Sequence, residues 1–376
     1  MLKFLFWLSI FGALFSYLIY PAVLKLLPSR TVPASDGRGK QAPKVSLIIT
    51  VHNEEGRIRD KIANTLELSY PGMEVIVASD ASTDGTDQIV TEFRNQGVML
   101  VRANERKGKE YAQLQAIKVA NGEILVFSDV ATSIPEDSLE RLVAYFSDPG
   151  VGAVSSEDRF VSRDGTVAGE GAYVRYEMWL RRLESQRAGL VGLSGSFFAV
   201  RREICDDWDI YSPSDFNTAL SCVRHGYIAV TAPDVLGFYQ DVSDVRREYQ
   251  RKLRTIIRGL TAMSRHPEVL DPTRYGWFAF QVFGHKLMRW AVPWFLVSLL
   301  LTSLVLAGTG SIYLLALIGQ LAFYGVVGVG MLYPSLRQSG LVKLPYFFVQ
   351  VNLAIAHATL SFLGGKRMTV WQPSRR

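Results

Sequence analysis

The sequence predicts an α/β domain with a mostly parallel sheet, set between apolar segments long enough to cross a membrane. Two patterns carry this reading. Between residues 44 and 146, β-branched apolar runs alternate with runs of helical spacing across short connections, as in a helix-covered parallel sheet. Outside that region, residues 4–24 and 291–336 contain no charged residue, and residues 344–365 contain only His357.

A spanning helix needs about 20 apolar residues, and residues 4–24 meet that length. A cleaved signal peptide is the rival reading. Its apolar core runs about 7–15 residues and gives way to small residues, whereas Tyr17, Leu18, Tyr20 and Pro21 stand in that place. The segment is read as an anchor. Residues 291–336 are too long for one span, and Gly308-Thr309-Gly310 divides them into 291–307 and 311–333. Lys25, Arg30, Arg38, Lys40 and Lys44 follow the first segment, and Lys286 and Arg289 precede the second. The positive-inside rule then places the N-terminus outside and the soluble domain on the cytoplasmic face of the cell (inner) membrane. Residues 344–365 carry Pro345, Gln350, Asn352 and His357, and Lys366, Arg367, Arg375 and Arg376 follow. A crossing there would send these cations outside. The segment is expected to lie in the interface or pack without crossing, leaving three spans, with Trp371 near the headgroups.

The net charge of +6 gathers beside apolar segments, which is not the distribution of a nucleic-acid binder. Cys205 and Cys222 lie in the soluble part without metal-ligand spacing, and a reducing compartment makes them ordinary buried thiols.

Along the chain, residues 28–43 are rich in Pro, Gly and Ser and read as a linker. Strands are expected at 44–51, 74–79, 98–101 and 123–128. Helices are expected at 55–68, 86–95, 109–120 and 136–146. The second half is less regular. It gives a helix at 171–184, a Gly/Ser turn leading into a strand over 190–201, a helix at 215–225 and a short strand at 227–231. In such sheets ligands bind beyond the carboxyl ends of the strands. His52-Asn53-Glu54-Glu55, Asp80 to Asp84, and Asp129 all stand there. Carboxylates crowded at one sheet edge are costly unless they meet cations or donors.

Four motifs occur in order. They are residues 45–55 (VSLIITVHNEE), residues 79–86 (SDASTDGT), Arg106-Lys107-Gly108-Lys109 followed by Ala112 and Leu114, and Val126-Phe127-Ser128-Asp129. Together they resemble the opening strand and N-E-E turn, the D-D-G-S-T-D-G-T turn, the R-x-G-K helix start and the D-x-D strand of family 2 glycosyltransferases. The resemblance covers residues 44–260 and implies a GT-A fold, Rossmann-like and mostly parallel. Carried over by position, it implies that Glu54 and Asp80 bind the nucleoside side of a nucleotide-sugar donor. It puts Lys109 against the nucleotide and gives Asp129 a divalent metal, Mg²⁺ or Mn²⁺, on the diphosphate. Asp84 reads as a turn or cap residue, and Glu55 as a cap or a ligand.

The family's acidic pair opens a helix after a Gly-rich strand. Here Ser214-Asp215-Phe216 stands in that place, so Asp215 becomes the general base of an inverting transfer, with a helix cap as the plainer reading. Residues 246–258 hold six basic residues and one acid, with Arg247, Arg251, Arg254 and Arg258 on one helical face. Arg251 and Arg254 are the candidates for donor phosphate, and anionic lipid is the other partner such a face fits.

There are departures from the family pattern. Ala131 replaces the second acid of D-x-D, Ser214 replaces the first acid of the pair, and Leu253-Arg254 stands where Q-x-x-R-W would place Arg-Trp. The resemblance implies a multi-pass membrane enzyme moving a hexose-type sugar from a UDP-sugar to a lipid-linked or growing surface-glycan acceptor. A processive polysaccharide synthase is one alternative. A catalytically inactive sugar-binding or scaffold subunit is another. The expected organisation is an anchor at 1–27, a linker at 28–43, the GT-A domain at 44–245, basic interfacial helices at 246–289, membrane helices at 290–365 and a basic tail at 366–376.

Overall fold

In a computed structural model of the chain, residues 1–30, 42–161, 172–240 and 245–368 are described. Most of the linker, part of the 157–171 loop, Trp371 and most of the basic tail lie outside them. The chain divides into two compact units. One comprises residues 27–247, 261–279 and 368–376, and the other residues 1–26, 248–260 and 280–367. Residues of the stretch 246–289 are found in both units.

Among the described residues, the first unit is built on seven strands: β1 (Val45–Val51), β2 (Glu74–Ser79), β3 (Val98–Arg102), β4 (Ile124–Asp129), β5 (Val151–Val161), β6 (Phe197–Arg201) and β7 (Ile228–Gln240). They form one sheet in the order β3-β2-β1-β4-β6-β5-β7. β1, β2, β3 and β4 pair in parallel, β6 runs antiparallel to both neighbours, and β7 pairs in parallel with β5. This is the mostly parallel α/β sheet that the sequence predicts.

Helices α2 (Ile58–Leu66), α3 (Thr86–Glu92), α4 (Lys109–Val119), α5 (Ser138–Ala144), α6 (Ala172–Ser185) and α7 (Ser214–Arg224) connect the strands. Residues of α2, α3 and α5 share one apolar cluster with Leu47, Ile49 and Val51. Residues of α4 and α7 share the other with Ile48 and Phe127. Alternate side chains of β1 therefore enter different cores, which is why that strand reads as an unbroken apolar run. Cys205 and Cys222 are buried free thiols in the second cluster, and burial pushes both pKa values up.

β5 has no counterpart among the expected strands. Ser155, Ser156, Glu157 and Asp158 interrupt its apolar pattern, and pairing on both sides with β6 and β7 makes it a strand regardless. β7 runs 13 residues where a short strand was expected. Pro233 and Asp234 lie in the middle of it, where sequence signals argue for an end.

The second unit is helical. Among the described residues, four helices are long and apolar enough to cross a membrane: α1 (Leu2–Leu26), α9 (Pro272–Thr309), α10 (Ser311–Leu332) and α11 (Gly340–Leu363). The basic helix α8 (Val245–Arg265) contributes residues 248–260 to this unit. α1 packs along α9. Ser9 Oγ bonds Ser298 Oγ at 2.8 Å, and Arg289 lies 5.2 Å from the Tyr17 ring centre. The helices approach closely at Gly12, where an added Cβ would stand 2.4 Å from the Phe295 ring. Small residues permit such contact between membrane helices. Gly12→Val should therefore force α1 and α9 apart, at about 1–3 kcal/mol. Thermal unfolding of detergent-solubilised protein should show a lower midpoint, and an unchanged midpoint would contradict this packing.

Candidate active site

The loops after β1 and β2 are bonded to each other. Asn53 adopts a left-handed φ of 53°, and its Oδ1 accepts from Thr83 N at 2.8 Å. Glu54 N donates to Thr86 Oγ1 at 2.8 Å, and Glu55 Oε2 accepts from Gly85 N at 2.8 Å. Asp84 Oδ1 accepts from Thr86 N at 3.0 Å, an Asx turn just before α3. These bonds hold Asp84 and Glu55 in the turn. The Glu54 carboxylate is 7% exposed and lies 3.4 Å from Arg57 Nε.

Asp80 is fully buried. Its Oδ1 accepts from Lys107 N and Gly108 N, both at 3.0 Å. Gly108, at φ 104°, starts α4 in a conformation that side chains resist. Asp80 thus fixes the place where Lys109 begins its helix. Lys109 Nζ donates to Asp129 Oδ1 at 2.5 Å and to Gly195 O at 3.0 Å. Burial opposes its charge, but the Asp129 carboxylate beside it prevails and raises its pKa. A cation at a helix start opposes the helix dipole, and Asp129 supplies the reason for it here.

Asp215 completes the cluster. Its own Oδ1 accepts from Phe216 N at 2.8 Å, and its backbone oxygen accepts from Leu193 N at 3.0 Å. A Cβ on Gly195 would stand 2.9 Å from Asp215 Oδ2. Gly195 therefore lies between Asp215 on one side and Lys109 on the other. The structure brings Asp129, Lys109 and Asp215 together and links them through Gly108 to Asp80. Arg251 and Arg254 belong to the other unit. Burial, then the neighbouring Arg258 and Arg251, lowers the Arg254 pKa.

Three further features carry no signal in the sequence pattern. Lys61, on α2, is buried and donates to Thr132 O at 2.7 Å. Burial lowers its pKa to about 7 against the pull of Asp129. It lines a cleft of 490 Å³ beside the Asp129 loop, together with Arg57, Ala131, Phe238 and Tyr239. Asp158 accepts from Ser194 Oγ at 2.5 Å and from Ser196 Oγ, and burial raises its pKa. Glu110 is 1% exposed, and its Oε1 accepts from Ser214 N at 3.2 Å. The apolar pattern gives no signal for any of these, because each depends on contact across distant segments.

Among the described residues there is no group of three or more His, Cys, Asp or Glu placed for a metal. Asp129 nevertheless sits at a strand end with its side chain 32% exposed. One carboxylate suits a divalent ion whose other ligands are diphosphate oxygens and water. The donor chemistry fits an ion that arrives with its substrate.

In an open α/β sheet ligands bind beyond the carboxyl ends of the strands, which is where this polar cluster stands. The Glycosyl transferase family 2 model matches residues 46–208, and that part of the chain is a family 2 glycosyltransferase domain. The chain is 26% identical over 199 residues to poly-beta-1,6-N-acetyl-D-glucosamine synthase of Staphylococcus epidermidis, covering 51% of this chain and 48% of that protein. It is 28% identical over 194 residues to beta-monoglucosyldiacylglycerol synthase of Synechocystis, covering 49% and 40%. The matches thus span about half the length of these relatives or less. In structure, it is similar to a mannosyltransferase from Pyrobaculum calidifontis in complex with GDP-Man and Mn²⁺. The TM-score is 0.73 and the identity 24%, over 98% of this chain and 100% of that one, a likeness of fold.

Two outcomes follow. Gly195→Ala should displace the Asp215 carboxylate while the sheet remains intact. Far-ultraviolet circular dichroism should be unchanged and sugar transfer reduced at least tenfold, and unimpaired transfer would contradict the close approach. For Lys61, the unfolded side chain holds its proton up to about 10.5 and the folded one only to about 7. Between those values the unfolded state binds more protons, so stability rises with pH, by at most about 1.4 kcal/mol per unit. Lys61→Met should remove that rise between pH 7 and 9, and parallel unfolding curves for the two proteins would contradict it.

Proposed function

We propose that the protein is a membrane-bound, inverting glycosyltransferase that moves a sugar from a nucleotide-sugar donor to a lipid-linked or growing glycan acceptor. The observation that carries this reading is the Asp129–Lys109–Gly195–Asp215 cluster at the carboxyl edge of a family 2 domain. Asp215 removes the proton from the acceptor hydroxyl. That oxygen bonds to the anomeric carbon from the face opposite the departing diphosphate. The bond from the anomeric carbon to the diphosphate oxygen breaks, and its electron pair leaves with the nucleoside diphosphate.

Lys109 faces the negative charge that develops on the departing diphosphate. A divalent ion, Mg²⁺ or Mn²⁺, held by Asp129, would add positive charge there. Glu54 contacts the nucleoside side, and Asp80 acts there through the turn it holds. UDP is the expected nucleotide, although the mannosyltransferase of similar fold binds GDP-Man, so both belong in any assay. Ala131 supports a second reading, an inactive sugar-binding subunit. Metal-dependent hydrolysis of a nucleotide sugar would exclude it.

The catalytic unit lies on the cytoplasmic face of the cell membrane in this proposal. α11 lies along the interface without crossing. Tyr249 Oη and His357 Nδ1 are 3.1 Å apart, and Lys252 stands 4.3 Å from the Phe347 ring centre. The polar helix α8 therefore meets α11 at points ten residues, or about 15 Å, apart along it. A cysteine appended at the C-terminus should resist impermeant thiol reagents in intact cells, and labelling would mean that α11 crosses.

The reaction is tested by Asp215→Asn, which keeps the shape and removes the base. Transfer should fall about 10²–10⁴-fold with donor affinity unchanged, and near-normal turnover would overturn the assignment. Asp129→Ala should weaken donor binding and its dependence on added metal together. Tight binding that still responds to chelator would place the ion elsewhere.

A further inference from the structure

We propose that Glu110 is a positioning residue that sets the angle of the Asp215 carboxylate by holding the first turn of α7. The inference rests on Asp215 being the base. Lys109 and Glu110 are consecutive residues in the first turn of α4, and each bonds a different segment. Lys109 reaches Asp129, while Glu110 Oε1 accepts the backbone N–H of Ser214.

Ser214 is the first residue of α7 and Asp215 the second. The preceding residue, Pro213, makes no side-chain cap. The opening amides of a helix have no partner within it, and a carboxylate that accepts from them is favoured by the helix dipole as well. Glu110 supplies that carboxylate from another segment, 104 residues away in sequence. A glutamate that is 1% exposed is costly to bury unless its charge is used.

The element carrying Glu110 is itself fixed. Trp208 Nε1 donates to Glu110 O at 3.1 Å, and the Trp208 ring stacks on Phe127 with centroids 5.0 Å apart. Asp80 holds the preceding Gly108. The first turn of α4 is thus a rigid bracket between the donor-phosphate side and the base. Loss of the Glu110 bond leaves the first turn of α7 held from outside by the bond from Leu193 N to Asp215 O, so the turn can shift. A carboxylate held 2.9 Å from a hypothetical Cβ on Gly195 has little room to do so and remain aligned.

The test uses the full-length protein in detergent and compares Glu110→Ala, Glu110→Gln, Ser214→Pro and the double variant Glu110→Ala/Ser214→Pro. Proline suits the first helical position and removes the N–H from which Glu110 accepts, together with the Ser214 hydroxyl. Pro213 is already extended, at ψ 128°, as a residue before proline must be. The expected result is a fall in kcat of about 10- to 100-fold in Glu110→Ala and Ser214→Pro, with the donor Kd within twofold of the parent. The double variant should be no worse than either single one. Glu110→Gln keeps an accepting oxygen and should recover most of kcat.

Three results would overturn the proposal: additive losses, a donor Kd that weakens in step with kcat, or Glu110→Gln as impaired as Glu110→Ala. Should Glu110→Ala fail to fold, Ser214→Pro and Glu110→Gln decide alone. Asp215→Asn in the same assay separates the two levels of inference. If Asp215→Asn turns over normally, the base assignment fails. If it is inactive while Glu110→Ala and Ser214→Pro are unimpaired, only the positioning role fails.

Discussion

The hydrogen-bonded ion pair of Lys109 and Asp129 organises the site. Asp129 ends a central strand at the sheet edge, where an unpaired carboxylate would be costly to bury. Lys109 starts a helix, where its charge is poorly placed on dipole grounds alone. Each offsets the disadvantage of the other. The pair also anchors the carbonyl of Gly195, and through it the loop that faces Asp215. Asp80 belongs to the same arrangement because its carboxylate holds the turn from which Lys109 departs.

Much of this was legible in the sequence where local pattern and fold agree. β2 begins and ends where its apolar run does, and α4 opens after a glycine at positive φ. Motif order located Glu54, Asp80, Lys109, Asp129 and Asp215, because each stands at a strand end or helix start. β5 was not legible. Its Ser-Ser-Glu-Asp centre is polar because those side chains serve partners across the fold. Glu157 takes a bidentate pair from Arg182, and Ser155 bonds Arg181 and Ser194. Pro233 and Asp234 resemble a strand end in the sequence, so only the first part of β7 is legible there. In the fold, Asp234 is engaged by the Tyr145 hydroxyl at 2.5 Å. Glu110, Lys61 and Asp158 were missed for one reason. A buried charge announces itself only through its partner, and those partners are 104, 71 and 36 residues distant.

The departures from the family pattern carry information of their own. Ala131 removes one acid near the metal position, and Ser214 removes one beside the base. At the second of these the structure places Glu110, a carboxylate from another helix. At the first, the cleft beside Ala131 contains the buried Lys61. The helical unit is legible mainly as length and apolarity. Gly12 against Phe295 and Ser9 against Ser298 show how its helices fit, details that hydropathy does not encode.

The central claim is that the edge around Asp129 and Lys109 receives a nucleotide sugar. Its most direct measurement is thermal unfolding of the solubilised protein across a panel of UDP- and GDP-sugars, with Mn²⁺ and with chelator. A ligand present at about 100 times its dissociation constant stabilises by about 2.7 kcal/mol. The account predicts that at least one nucleotide sugar raises the midpoint by several degrees with Mn²⁺ and by clearly less with chelator. The same midpoint with every nucleotide sugar, in both conditions, would contradict it.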